Sequence, residues 1–161
     1  MDLGYCELSF RPDTKMVSIV RRFVSDFYER MLTDQEGIHR VALATHELLE
    51  NAVKYSSDGE ATIRIQVDQA GSKAIVTIRT RNRTDPTNAA VLRRMLTEPS
   101  SGDPFEMYQD AMRRSLLDGE GSRLGLARLR AEADMHMVLE AGPVEEVRLL
   151  ATTQMLLEEA S

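Results

Sequence analysis

Residues 46–55 read His46-Glu47-Leu48-Leu49-Glu50-Asn51-Ala52-Val53-Lys54-Tyr55. Glu47, Asn51 and Lys54 are spaced four and three apart, so at ~100° per residue they fall within about 60° of one another on one helical stripe. Upstream, Ile38, Val41, Ala42, Thr45, Leu48, Leu49, Ala52 and Val53 keep the three-and-four spacing of an amphipathic helix. Thr33-Asp34-Gln35-Glu36 has the Thr-x-x-Glu pattern of a capping box, so the helix is expected to open there and end near Tyr55. Val41, Thr45, Leu48 and Ala52 form its core stripe. The polar stripe lies roughly opposite and is expected on the outer side of the helix layer. Chemically, Asn offers a neutral oxygen to Mg2+, Lys a point charge to phosphate, and Glu a base that can orient or deprotonate a nucleophile. Spacing alone leaves two readings open: residues converging on one ligand, or a solvated helix face with Glu50 and Lys54 as an i,i+4 pair.

Toward the N-terminus, Tyr5–Phe10 is short and β-prone and closes at Arg11-Pro12, which suggests an edge or first strand. Met16, Ile19, Val20, Phe23, Val24, Phe27 and Met31 then place a helix from Thr14 to about Leu32. After Ser56-Ser57-Asp58-Gly59 the periodicity switches to two. Residues 60–82 read as an antiparallel hairpin turning at Ala70-Gly71-Ser72, with Val76, Ile78, Thr80 and Asn82 in one inward register. Arg79, Arg81 and Arg83 share the other face, read as solvated in preference to an anion or partner site. Residues 83–120 are read as a helical lid, with Pro86, Pro99 and Pro104 bounding helical patterns at roughly 87–98 and 104–118. Another amphipathic helix opens at Gly121-Ser122. Two strands, Met135–Glu140 and Glu145–Gln154, join at Ala141-Gly142-Pro143.

The chain has 161 residues, a formal net charge of −6, 42% hydrophobic and 29% charged residues, which fits one soluble α/β domain spanning 1–161 with no linker or repeat. With a single cysteine, Cys6, no intrachain disulfide or Cys-based zinc module can form. No apolar run approaches the ~18 residues of a membrane span and no leader pattern opens the chain, so a cytoplasmic protein with no membrane contact is expected. Acidity argues against direct nucleic-acid binding.

Glu47–Tyr55 resembles the asparagine box of the GHKL superfamily, which groups histidine-kinase ATPase domains, gyrase, Hsp90, MutL and the anti-sigma-factor serine kinases. The order of elements most resembles the last branch. The resemblance implies a Bergerat fold, a two-layer α/β sandwich whose mixed, mostly antiparallel sheet carries helices on one face. It implies ATP and Mg2+ as cofactors, Glu47 as general base, Asn51 as Mg2+ ligand and Lys54 near the phosphates. Gly121-Ser122-Arg123-Leu124-Gly125-Leu126 is similar to the family's second glycine box, whose backbone N–H groups receive the triphosphate at a helix start. Gly121, Arg123, Leu124 and Gly125 are therefore candidate nucleotide contacts, with Arg123 in place of a central glycine. The family's first glycine box, Asp-x-Gly-x-Gly, departs here to Asn82-Arg83-Thr84-Asp85-Pro86. Asn82 is the stand-in for the adenine-binding Asp, and no glycine follows it.

Two functions follow from the resemblance. One is an ATP-dependent serine/threonine protein kinase of the anti-sigma-factor type, acting on a STAS-domain anti-anti-sigma-like antagonist in a bacterial partner-switching pathway. The other is a degenerate scaffold that regulates a sigma factor or other protein by binding alone. A homodimer is also compatible with the resemblance. In the lid, Val91, Leu92, Met95, Leu96, Met107, Met112, Leu116 and Leu117 offer apolar surface that either packs over the pocket or meets a partner.

Overall fold

In the computed structural model, residues 1–11, 13–58, 60–97, 129 and 134–157 are described. The elements run β1 (Asp2–Phe10), α1 (Thr14–Met31), α2 (Gln35–Tyr55), β2 (Ala61–Ala70), β3 (Lys73–Arg83), α3 (Pro86–Thr97), β4 (His136–Leu139) and β5 (Glu146–Leu156). Each helix start has a local cause. Asp13 Oδ1 accepts the Met16 backbone N–H at 2.7 Å, and Asp85 Oδ1 accepts those of Thr87 and Asn88 at 2.9 and 3.0 Å. At α2 the cap is Asp34, whose Oδ1 accepts the Glu36 N–H at 3.1 Å. The expected Thr33 capping box is therefore displaced by one residue, the carboxylate being the stronger acceptor for N–H groups at the positive end of a helix.

The five strands form one sheet in the order β1-β2-β3-β5-β4, and each of its four pairings is antiparallel. Gly71 adopts φ +61° in the two-residue turn joining β2 to β3, a conformation open to glycine at little steric cost. Alternation along β2, β3 and β5 points Ile63, Ile65, Val67, Val76, Ile78, Val147, Leu149 and Ala151 to one buried face. Against that face pack Val20, Val24 and Tyr28 of α1 and Val41, Leu48 and Leu49 of α2. This is the two-layer α/β sandwich that the asparagine-box resemblance implies. Burial of these side chains contributes roughly 1.5–3 kcal/mol each before conformational entropy is counted.

The first of the two expected lid helices is α3, and it joins the core through Ala89 and Leu92. The second pattern, 104–118, and the Gly121–Gly125 segment lie outside the described residues. Leu129, in the helix expected to follow, is helical and fully buried. Among the described residues, no helix is long and apolar enough to cross a membrane.

Candidate functional site

The position of α2 is set near its start and at its middle. Gly37 lies so close to β5 and the cap that a Cβ there would meet Met155 Sδ at 2.7 Å and Asp34 Oδ2 at 2.8 Å. Midway, the buried Thr45 hydroxyl donates to Val41 O at 2.7 Å, so its remaining capacity is as acceptor, and Tyr28 Oη donates to it at 2.8 Å across the α1–α2 interface. Burial pushes the Tyr28 phenol above its ordinary range, and Cys6 raises it further.

Held this way, the last two turns of α2 form one wall of a pocket. Leu48, Asn51, Ala52 and Tyr55 face Thr80 and Asn82 of β3, Val147 and Leu149 of β5, and Leu139 of β4, with Leu92 and Leu96 of α3 closing the side. The pocket lining is apolar except for Asn51, Thr80, Asn82 and Tyr55. Asn51 Nδ2 is buried and has no hydrogen-bond partner among the described residues. A buried amide left unpaired costs about 1–3 kcal/mol, so it calls for a ligand or an ordered water.

The site residues separate into three groups. Asn51 and Asn82 both line the pocket, Asn82 only 7% exposed in the inward register expected from β3 alternation. Glu47 is half-buried one turn before Asn51 and does not line the pocket, and Lys54 is exposed with Nζ 5.7 Å from the centre of the Tyr55 ring. Gly121, Arg123, Leu124 and Gly125 fall outside the described residues. The polar stripe was expected on the outer side of the helix layer, and the structure corrects this for Asn51. Its neighbours Leu48 and Ala52 pack inward, and Leu92 and Leu96 of α3 line the same pocket, so the edge of the stripe becomes pocket wall. Nor does Glu50 pair with Lys54: its Oε1 lies 3.1 Å from His46 Nε2.

Sequence reasoning did not single out Tyr55, Leu139, Val147 and Leu149 as pocket residues. Alternation marks Val147 and Leu149 as inward, but their place beneath Asn51 depends on β5 pairing with β3, where Asn82 opposes Val147 and Thr80 opposes Leu149. Arg79, Arg81 and Arg83 are exposed, as a solvated face requires, and lie 3.3, 4.0 and 3.8 Å from Glu140, Glu146 and Asp58.

No curated protein sequence matches the chain. A chain in the crystal structure of the SiaB–SiaC complex from Pseudomonas aeruginosa shares its fold, with a TM-score of 0.66 at 12% identity, covering 93% of this chain and 89% of that one. The sequence model for the histidine kinase-like ATPase domain matches residues 10–121, from the end of β1 to Gly121, and so takes in the helix that carries Glu47, Asn51 and Lys54 and the strand that carries Asn82. With that match over most of its length, this chain belongs to the family of histidine kinase-like ATPase domains.

Proposed function

We propose that the protein is an ATP-binding serine/threonine kinase of the anti-sigma-factor type, acting on a STAS-domain antagonist in a partner-switching pathway. The observation that carries this reading is the buried Asn51 Nδ2, a donor without a hydrogen-bond partner among the described residues, on an apolar pocket that Asn82 also lines. These residues fit a magnesium nucleotide. Asn82 offers a hydrogen-bonding edge to a base, and the Asn51 carbonyl is the kind of hard oxygen donor Mg2+ takes. Lys54, Gly121, Arg123, Leu124 and Gly125 are assigned to the phosphates. When bound, MgATP supplies the phosphoryl group. The chain's own part is to hold the nucleotide in place and to accept the proton of the attacking hydroxyl at the Glu47 carboxylate, so positioning and electrostatics carry most of the catalysis. The fold neighbour comes from a two-protein complex, which supports a regulator that works through a protein partner.

A second reading, a scaffold that regulates by protein binding alone, is favoured by one observation. Where the family has a glycine-bearing loop after the adenine-binding strand, β3 ends at Arg83 and α3 begins at Pro86, with only Thr84 and the capping Asp85 between them. Calorimetry with Mg-ATP separates the two. The kinase reading expects saturable binding to wild type and at least tenfold weaker binding to Asn51→Ala. No heat at millimolar nucleotide would leave only the scaffold. With a candidate antagonist present, Glu47→Ala is expected to keep nucleotide binding and lose phosphate transfer.

A further inference from the structure

Far from the pocket, α1 and β1 share an uncovered flank. At ~100° per residue, Ile19 stands about 180° around α1 from Tyr28, the residue that bonds Thr45 of α2. Phe23 and Phe27 follow Ile19 at steps of about 40° toward the sheet. Phe27 and Met31 reach β1, where a Cβ added at Gly4 would meet Met31 Cε at 3.0 Å and Phe27 Cζ at 3.9 Å. The strip Phe27-Phe23-Ile19 therefore climbs the side of α1 that looks away from α2, above the outer margin of β1. Ile19 is 62% exposed and Phe23 47%. Below them β1 is the outermost strand and has no neighbour beyond it among the described residues. Proteins blunt such edges with short strands, prolines, lysines or bulges. The opposite edge, β4, has four residues, whereas β1 has nine, holds no Pro, Lys or Arg, and pairs with β2 without a break from Gly4 to Phe10. Its mid-strand charge, Glu7, is drawn to Arg64 of β2 at 3.5 Å.

We propose that this flank binds a second copy of the chain, β1 pairing with β1 so that the two sheets become one and the Phe23–Ile19 strips close over the seam. A two-fold axis perpendicular to the sheet makes identical edge strands antiparallel and keeps both helix layers on the same side. It also runs the two α1 helices in opposite directions. Arg22 and Asp26, both exposed and bordering the apolar strip one turn apart, then approach each other's counterpart with opposite charge. The occupant is a second copy because the flank has two parts at a fixed spacing, a strand edge and an apolar helix side. An extended peptide would fill the edge and leave Ile19 and Phe23 bare, whereas another copy supplies both parts by symmetry. The residues that line the pocket come from α2, α3, β3, β4 and β5, so this interface leaves it open and is independent of the nucleotide reading.

Sedimentation equilibrium of the full chain without nucleotide is expected to show a dimer at about 0.1 mM chain. The double variant Ile19→Glu, Phe23→Glu changes only exposed side chains and is expected to weaken the dimer at least tenfold. Val138→Glu, at a 42% exposed site on the far edge strand β4, is expected to leave it unchanged. Amide hydrogen exchange is expected to slow along β1 as the chain concentration rises. A wild type that stays monomeric at the same concentration overturns the proposal. So does a dimer whose β1 amides gain no protection, or one that Val138→Glu weakens as much as the α1 variant. Should the α1 variant not fold, the concentration dependence of β1 exchange in wild type decides alone.

Discussion

Asn51 is a residue whose cost to the fold and value to a ligand have opposite signs. Its buried, unpaired Nδ2 detracts from the stability of the ligand-free chain. Asn51→Ala is therefore expected to leave the ligand-free unfolding midpoint within about 0.5 kcal/mol of wild type or slightly above it, while nucleotide binding is lost. Chemical denaturation in the absence of nucleotide checks the first half. A drop of several kcal/mol would mean that Asn51 is structural. Tyr28 behaves in the opposite way. Tyr28→Phe removes the donor to Thr45 from a fully enclosed site and is expected to cost about 1 kcal/mol. Because burial holds the Tyr28 phenol protonated in the fold, the unfolded chain ionises it first. Its contribution is whole below the unfolded value of 10.0 and is lost as pH rises above it. The half-buried Cys6, raised from 9.0 by the same desolvation, adds a smaller loss of like sign. Urea midpoints from pH 8 to 11 are expected to fall for wild type and to fall less steeply for Tyr28→Phe.

At the scale of elements, α2 shows how packing overrides local preference. Glycine in a helix interior is worse than alanine by about 1 kcal/mol in intrinsic propensity. At Gly37 an added Cβ would press on Met155 and on the capping Asp34. Gly37→Ala is expected to destabilise by about 1–2 kcal/mol despite the better helix former, because Asp34 cannot retreat without losing the Glu36 N–H. A midpoint unchanged or raised in denaturant would show that the sulfur and carboxylate yield freely. The arginines of β3 belong to the same scale. Each ion pair on that exposed sheet face is expected to contribute under about 1 kcal/mol. Arg79→Ala measured at low and at high salt should show a small effect that salt reduces further.

For the whole molecule, a ligand that binds the folded chain stabilises it by mass action, by about 2.7 kcal/mol at a hundredfold excess over its dissociation constant. For a domain of this size that is roughly 5–10 °C in melting temperature. Mg-ATP is expected to produce such a shift in wild type and none in Asn51→Ala. The architecture concentrates the effect, because the pocket draws its lining from α2, α3, β3, β4 and β5 together. A ligand there clamps both hairpins and two helices at once.

Much of this arrangement was legible in residue order. The period of 3.6 in α1 and α2 and of 2 in β2, β3 and β5 follows from burying one face of each element, and that is a local property. The asparagine box could be placed on α2, and Asn82 on the inward face of β3, for the same reason. The sequence by itself thus determined the helices and strands among the described residues, the faces that α1, α2, β2, β3 and β5 bury, and the family. Only the tertiary structure decided that β5 lies against β3, that Leu92 and Leu96 of α3 line the same pocket as the end of α2, and that Asn51 therefore turns into a pocket and not into solvent. Helical spacing places a side chain by angle on its own axis. What that angle meets depends on neighbours far away in the chain, and a lone helix carries no record of them.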